Sequence, residues 1–395
     1  MSNKSVIIKG PLLTKSGYGI HSRQVFSWLM SRSDFDVKCI VTPWGRCSWN
    51  IDKTDPVINE IMNRSIDENT NRDNSFDISF QIQLPNEWNP FLAKKNIGIT
   101  AAVETNTCNP AWVECCDRMD AVITPSEFTK SVLVNTGLPK EKVNVIHETY
   151  PELFDKDIEK DNYINEVLNN IPTTKNFLLV GQITGFNEFS DRKNIFNTIK
   201  SFTNAYKDNK DVGLILKVNT GRNTKIDRNK TLSIIQSVVK EIGKKDFPKI
   251  HIMHGDLTEK QLYTLFTHEK VSYYLSASRG EGFGLPLIES ARLGLPIIAT
   301  NWSGHLDFLK LGNFTRLNYK LQEIDASRVD NKIFMEGSKW ANVTNGHLRL
   351  TLKKAFDDYG KKAKDARILA DKIKENFNFE VIKENYNNFM KENNI

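Results

Sequence analysis

The chain has 395 residues, 39% hydrophobic and 26% charged, with 54 Lys/Arg against 48 Asp/Glu for a net charge of +6. That length points to two domains of about 150–200 residues each, and the ordinary apolar and charged content excludes a disordered or fibrous chain. Apolar runs stay far below the ~18 residues of a membrane span, so no integral membrane segment is expected.

In chain order, Val6-Ile7-Ile8 near the N-terminus is too short an apolar core for a signal peptide. The five cysteines, Cys39, Cys47, Cys108, Cys115 and Cys116, form no C-x-x-C pair, which favours a reduced, cytoplasmic setting. Short β-rich runs over Ser5–Lys9, Val37–Thr42, Ile78–Leu84, Asn96–Glu104, Ala121–Pro125 and Val143–His147 predict strands in the first half. Phe177–Ile183, Val212–Val218, Ile250–His254, Val271–Ser276 and Pro296–Thr300 do so in the second. Helical periodicity lies between them, as in Ile195, Phe196, Ile199, Phe202 and Tyr206. Alternation of this kind predicts an α/β fold of two doubly wound, Rossmann-like domains facing a cleft. The charged, proline-closed stretch 152–174 is the place to cut, giving domains over 1–165 and 170–375. Residues 376–395 read as a C-terminal helix that covers a domain or returns to the first one.

Charge is unevenly spread. The first 46 residues carry seven basic and two acidic side chains, and 217–249 carry nine against three. Two local excesses leave room for a phosphate-bearing ligand without demanding nucleic acid.

The densest chemistry is SASRGEGFGLPLIESARLGLPIIATNWSG over 276–304. A strand runs into Gly280-Glu281-Gly282-Phe283-Gly284, then into a helix opened by Pro286 and closed by Gly294. Glycines alone could simply make a tight turn. Backbone N–H groups at a helix N-terminus also make an anion site, and the carboxyl end of a parallel strand is where such folds bind ligands. Glu281 and Glu289 would repel an anion, so accepting hydrogen bonds from sugar hydroxyls is their natural task. Lys193 in Asp191-Arg192-Lys193-Asn194 opens a helix, where a cation asks for an anionic ligand in front of it.

The run Glu281-Gly-Phe-Gly-Leu-Pro-Leu-Ile-Glu289 followed by Gly294-Leu-Pro296 resembles the signature of retaining GT-B glycosyltransferases of family 4. Gly17-Tyr18-Gly19 with Ser22-Arg23, Glu104-Thr105 with Pro110-x-Trp112, Val122–Ser126, and Ser303-Gly304 with Asp307 extend the likeness over most of the chain. The resemblance implies a nucleotide-diphosphate-sugar donor held mainly by the C-terminal domain and an acceptor held by the N-terminal one. It implies that Glu281 holds sugar hydroxyls and Glu289 the ribose. Gly282 and the amides of Phe283, Gly284 and Leu285 would face sugar or phosphate, and Lys193 and Arg192 the diphosphate. Gly17, Tyr18 and Gly19 would lie near that diphosphate. One departure is Gln182, where the family has an arginine after its glycine; Arg192, Lys217 or Arg279 would substitute for that charge.

Neither Asp155-x-Asp157 nor Asp34-x-Asp36 ends an apolar strand, and His251 and His254 fall on opposite strand faces. A metal-independent transfer without cofactor is therefore expected, with charge neutralised by Lys193 and the loop amides. Glu104 and His147, at the ends of first-domain strands, are further candidates. Trp44, Arg46 and Trp49 follow a strand end and could stack on a sugar or a nucleobase, or fill a core. The acceptor is thus a hydroxyl of a glycan, lipid-linked sugar or protein; DNA bearing a hydroxylated base is the alternative. A non-enzymatic sugar-nucleotide-binding protein, an epimerase and a phosphorylase are more remote readings. A dinucleotide oxidoreductase is disfavoured because Ser22 occupies the third glycine position, and no P-loop occurs.

Overall fold

The computed structural model describes residues 3–67, 76–243 and 247–395. They divide into two compact units. The first holds Met1–Thr149, Asp330–Met335 and Phe379–Ile395, the second Tyr150–Val329 and Glu336–Asn378.

The first unit is built on six parallel strands: β1 (Lys4–Gly10), β2 (Phe35–Val41), β3 (Phe76–Ile82), β4 (Ala93–Ile99), β5 (Ala121–Thr124) and β6 (Val143–Val145). Their order is β2-β1-β3-β4-β5-β6. The second unit repeats the plan with β7 (Lys175–Gln182), β8 (Val212–Asn219), β9 (Lys249–Met253), β10 (Val271–Ser276), β11 (Ile297–Thr300) and β12 (Thr315–Leu317), in the order β12-β11-β10-β7-β8-β9. Strands such as Val6-Ile7-Ile8 and Leu214-Ile215-Leu216 are fully buried, as expected where helices cover both sheet faces. In each unit the strand order reverses beside the first strand, between β1 and β3 and between β7 and β10. Loops leaving the carboxyl ends there diverge and open a ligand crevice.

Three features depart from the sequence reading. The strand read over Asn96–Glu104 stops at Ile99. Beyond it the Ala101 and Ala102 amides donate to the Tyr18 hydroxyl and Thr100 Oγ1, and Ala102 turns with φ +45°. Three strands went unread: β12, β13 (Lys320–Glu323) and β14 (Lys339–Asn342). The last two form an antiparallel pair, and Lys320–Glu323 is wholly exposed with Leu321 its single apolar residue, so no apolar pattern marks it.

Residues 152–174 are also not a free linker. Asp161 N–H donates to Thr264 Oγ1 at 2.7 Å, Ile164 and Leu168 are buried, and Phe154 lies against Tyr263. The chain consequently changes unit after Thr149, ahead of the 165/170 boundary. Asp155, within that stretch, is bound by Arg292 at 2.6 Å and by the Tyr150 hydroxyl.

The helix Tyr359–Phe377 packs in the second unit; the next, Phe379–Glu392, is part of the first. Ile382, Tyr386, Phe389 and Met390 sit in the first unit's core, with Tyr386 stacked on Trp28 at 4.6 Å. Among the described residues, no helix is long and apolar enough to cross a membrane.

Candidate active site

The second unit's crevice is assembled from two loops at the β7/β10 reversal. After β7 the chain winds through 183–194 around the buried Asp191 carboxylate. It accepts from the Thr184 amide and hydroxyl and, at 2.6 Å, from the Ile195 amide that opens the helix Ile195–Tyr206. Asn187 and Ser190 brace the outer turn, which leaves Phe186 88% exposed. Arg192 and Lys193 are thereby held in one direction, and the Lys193 stem lies across Gly181, 3.6 Å from where a Cβ would stand.

After β10, the loop 277–284 carries Glu281. Lys193 Nζ donates to both its carboxylate oxygens, at 2.7 and 2.8 Å, and Arg192 Nη1 lies 3.4 Å from Oε2 while donating to Gly280 O at 2.6 Å. The Glu281 side chain is only 8% exposed. Burial by itself would raise its pKa; the Lys193 and Arg192 charges and hydrogen bonds from Lys193 and Ser278 outweigh that and hold it at about 2.

Eight residues on, Glu289 has the opposite environment. It is 6% exposed, lies inside the helix Leu285–Arg292, and its carboxylate has no hydrogen-bond or ion-pair partner among the described residues. Burial, reinforced by Glu259, raises its pKa to about 7. Gly284 caps this helix at φ +102°, with His305 Cβ only 3.1 Å from any Cβ added there, so glycine is required twice over. Phe283 points away from the crevice into a cluster with Phe308 and Phe377, which leaves its amide and those of Gly284 and Leu285 as the polar elements at the helix start.

A third loop, 301–305, grips Glu281 from behind. The Glu281 amide donates to Ser303 Oγ at 2.9 Å, and the Gly304 amide to Glu281 O at 2.9 Å. His305 is fully buried, its Nε2 2.7 Å from Thr300 O, and burial lowers its pKa.

Of the cations that would substitute for the charge missing at Gln182, one is placed otherwise. Arg279 is buried and spent on structure: it binds Asn342 Oδ1 at 2.8 Å and Glu188 O at 2.9 Å and lies over Trp340. Lys217 is buried within β8, in register with Val180 and Met253, because that strand runs on to Asn219. Arg192, with Lys193, lies beside Glu281. His251 meets Thr173 and His254 meets Asp227, so the two serve separate contacts.

In the first unit, Gly17, Tyr18 and Gly19 open the helix Gly17–Met30 after β1, with Ser16 accepting from the Gly19 amide at 3.0 Å. Tyr18 stacks on Trp44 at 4.0 Å, and its hydroxyl meets Thr100 Oγ1 at 3.0 Å. The loop bearing Trp44, Arg46 and Trp49 is tied back by the bonds Lys15 N–H to Ser48 O and Asn50 N–H to Leu13 O. Neither tryptophan fills a core: Trp44 is half-buried on Tyr18, Trp49 is 47% exposed, and Arg46 is exposed. Glu104 lies half-buried in the loop after β4, and His147 half-buried two residues past β6. All occupy the carboxyl edge of the first sheet. A Cβ on Gly19 would stand 2.2 Å from Thr14 O. Gly19→Ala is therefore expected to displace that loop and lower the first unit's stability by about 1–3 kcal/mol, read as a fall in urea midpoint; an unchanged midpoint would contradict the crowding.

Residues 183–327, which span all three of these second-unit loops, match the family model described as Glycosyl transferases group 1. The chain carries a group 1 glycosyltransferase domain. No curated protein matches the sequence. Among solved structures, the glycosyltransferase has the GT-B fold of Anabaena HepE in complex with UDP and glucose, at a TM-score of 0.64 and 11% identity over 99% of this chain and 100% of that one. A glycosyltransferase from Rickettsia africae is similar at 0.65 and 12%, over 100% and 99% of the two chains. Sucrose-phosphate synthase from Thermosynechococcus elongatus gives 0.65 and 13%, over 99% of each. What sequence reasoning missed in this glycosyltransferase are the supporting roles of Asp191, Arg279 and His305. Each is a polar residue beside a glycine or cation already singled out, and only the fold reveals which backbone group it holds.

Proposed function

We propose that this glycosyltransferase moves a sugar from a nucleotide-diphosphate-sugar donor to an acceptor hydroxyl, with retention of anomeric configuration and without a metal ion. The observation that carries the reading is the pair of buried carboxylates on one loop and helix, one held ionised by two cations and the other without a partner among the described residues. A buried carboxylate with no protein donor is a strong acceptor for a ligand diol, which suits Glu289 to the ribose. Glu281, fixed against Lys193, suits the hydroxyls of the transferred sugar. Lys193, Arg192 and the amides of Gly282 to Leu285 at the helix start suit the diphosphate, a preorganised electrostatic stabiliser of the leaving group.

In the reaction proposed, the acceptor oxygen bonds to the anomeric carbon on the face from which the diphosphate departs. The bond between that carbon and the phosphate oxygen breaks, and the acceptor proton passes to the leaving phosphate. Glu104 remains a first-unit candidate for orienting the acceptor. In this reading Lys193 and Arg192 would face the developing charge of the leaving diphosphate, and two cations there support metal independence.

For the acceptor, a glycan, lipid-linked or protein hydroxyl is the reading preferred. The exposed Trp49 and the exposed Arg46 on one loop also suit DNA with a hydroxylated base, since an indole face and a cation serve stacking and phosphate contact alike. A panel of nucleotide sugars in a thermal-shift assay is expected to show one donor raising the melting temperature. With that donor, transfer should continue unchanged in excess EDTA and give a product of retained configuration by proton NMR. Loss of turnover in chelator or an inverted product would overturn the corresponding part. Duplex binding that weakens steeply with salt would select DNA; none at low salt would remove it.

A further inference from the structure

We infer that Ser303 is a positioning residue for Glu281, holding the peptide of that carboxylate in register with Lys193. The assignment rests on the reading of Glu281 as a donor-sugar contact. Ser303 adopts φ +88°, a left-handed conformation that glycine takes freely and serine does not. A non-glycine residue retained there needs a side-chain reason, and the reason is at hand. Its Oγ accepts the Glu281 amide at 2.9 Å, and the next residue, Gly304, donates to the Glu281 carbonyl at 2.9 Å. One dipeptide therefore clamps both sides of the residue whose carboxylate lies 2.7 Å from Lys193.

The clamp is itself anchored. His305 Nε2 donates to Thr300 O at 2.7 Å, which leaves Nδ1 as an acceptor facing the Ser303 hydroxyl at 3.5 Å. The direction runs from the Glu281 amide through the Ser303 hydroxyl to the His305 ring and the end of β11. Ser303 is 5% exposed and His305 fully buried, so water does not compete for these bonds. Ser303 touches no reacting atom; it acts through the placement of Glu281.

Two substitutions separate this role from mere support of the turn. Ser303→Gly removes the hydroxyl and relieves the backbone; Ser303→Ala removes the hydroxyl and keeps the strain. With UDP-glucose as probe, both variants are expected to release glucose 10–100-fold more slowly at saturation, with Kd for UDP-glucose within threefold of the parent. Their melting temperatures should part, Gly at or above the parent and Ala below it. A parent-like rate in Ser303→Gly, or losses that track melting temperature, would overturn the assignment. Should the parent itself release no glucose, the UDP-glucose form of the donor reading fails. The Ser303 assignment is then decided by hydrogen exchange at the Glu281 amide. Exchange at least tenfold faster in both variants supports it, and unchanged exchange overturns it.

Discussion

Lys193→Met is expected to abolish glycosyl transfer and to lower the stability of the second unit by about 3 kcal/mol, the cost of leaving a buried carboxylate without its main partner. Arg192, 3.4 Å from Glu281 Oε2, limits the loss but cannot replace two bonds of 2.7 and 2.8 Å. Adding Glu281→Gln to the same chain should return stability to within about 1 kcal/mol of the parent, because both charges have then gone together. Activity should not return; each charge removed from a leaving-group or sugar site costs about 10²–10³ in rate. Urea unfolding and donor turnover of the two single variants and the double variant check this. A double variant no more stable than Lys193→Met would mean the ion pair does not explain the burial of Glu281.

The second large effect is Glu289→Gln, expected to stabilise the protein at pH 8–9 by about 3 kcal/mol while weakening donor binding tenfold or more. Glu289 has a folded-state pKa of about 7 against an ordinary 4.5, so the protonated form is the one the fold favours. The stability it contributes is complete below 4.5 and is lost as pH rises through about 7, and that interval corresponds to about 3 kcal/mol. Glutamine cannot ionise and so avoids the loss. Glu281 runs the other way: with a folded-state pKa of about 2, its contribution is present above 4.5 and lost as pH falls toward 2. If ribose hydroxyls bind the ionised form of Glu289, donor affinity should climb with pH up to about 7 and then level, with a proton released on binding below that pH. Calorimetry in two buffers of different ionisation enthalpy measures that proton. Donor affinity flat from pH 5 to 8 would detach Glu289 from the ribose.

Most of the strands of this molecule are legible in sequence because both sheets are parallel and buried on two faces, so Val6-Ile7-Ile8 and Leu214-Ile215-Leu216 stand out as apolar runs. The loop and helix bearing Glu281 and Glu289 were legible for a different reason: glycine, proline and glutamate at those spacings have few other uses. What stayed hidden depends on contacts distant in sequence. Lys320–Glu323 becomes a strand only because Lys339–Asn342 lies beside it. Arg279 looks like a site cation in sequence, yet Asn342 and the Glu188 carbonyl, 63 and 91 residues away, claim its guanidinium. The 152–174 stretch reads as a linker from its charge, but Ile164 and Leu168 at helical spacing bury one face of it.

The stacking of Tyr386 on Trp28 has a consequence for the order in which a ribosome yields folded protein. Synthesis runs at about 5–20 residues per second. The seat of Tyr386 around Trp28 thus stays uncovered for about 20–70 s after that tryptophan has been made, whereas everything the second unit needs has been made by Asn378. The usual sequence, in which the N-terminal part closes first, is reversed. A chain released at Asn378 would hold every residue of the second unit and lack the last segment of the first, and the core cluster that includes Trp28, Phe26 and Leu29 is what a chaperone would find open on it.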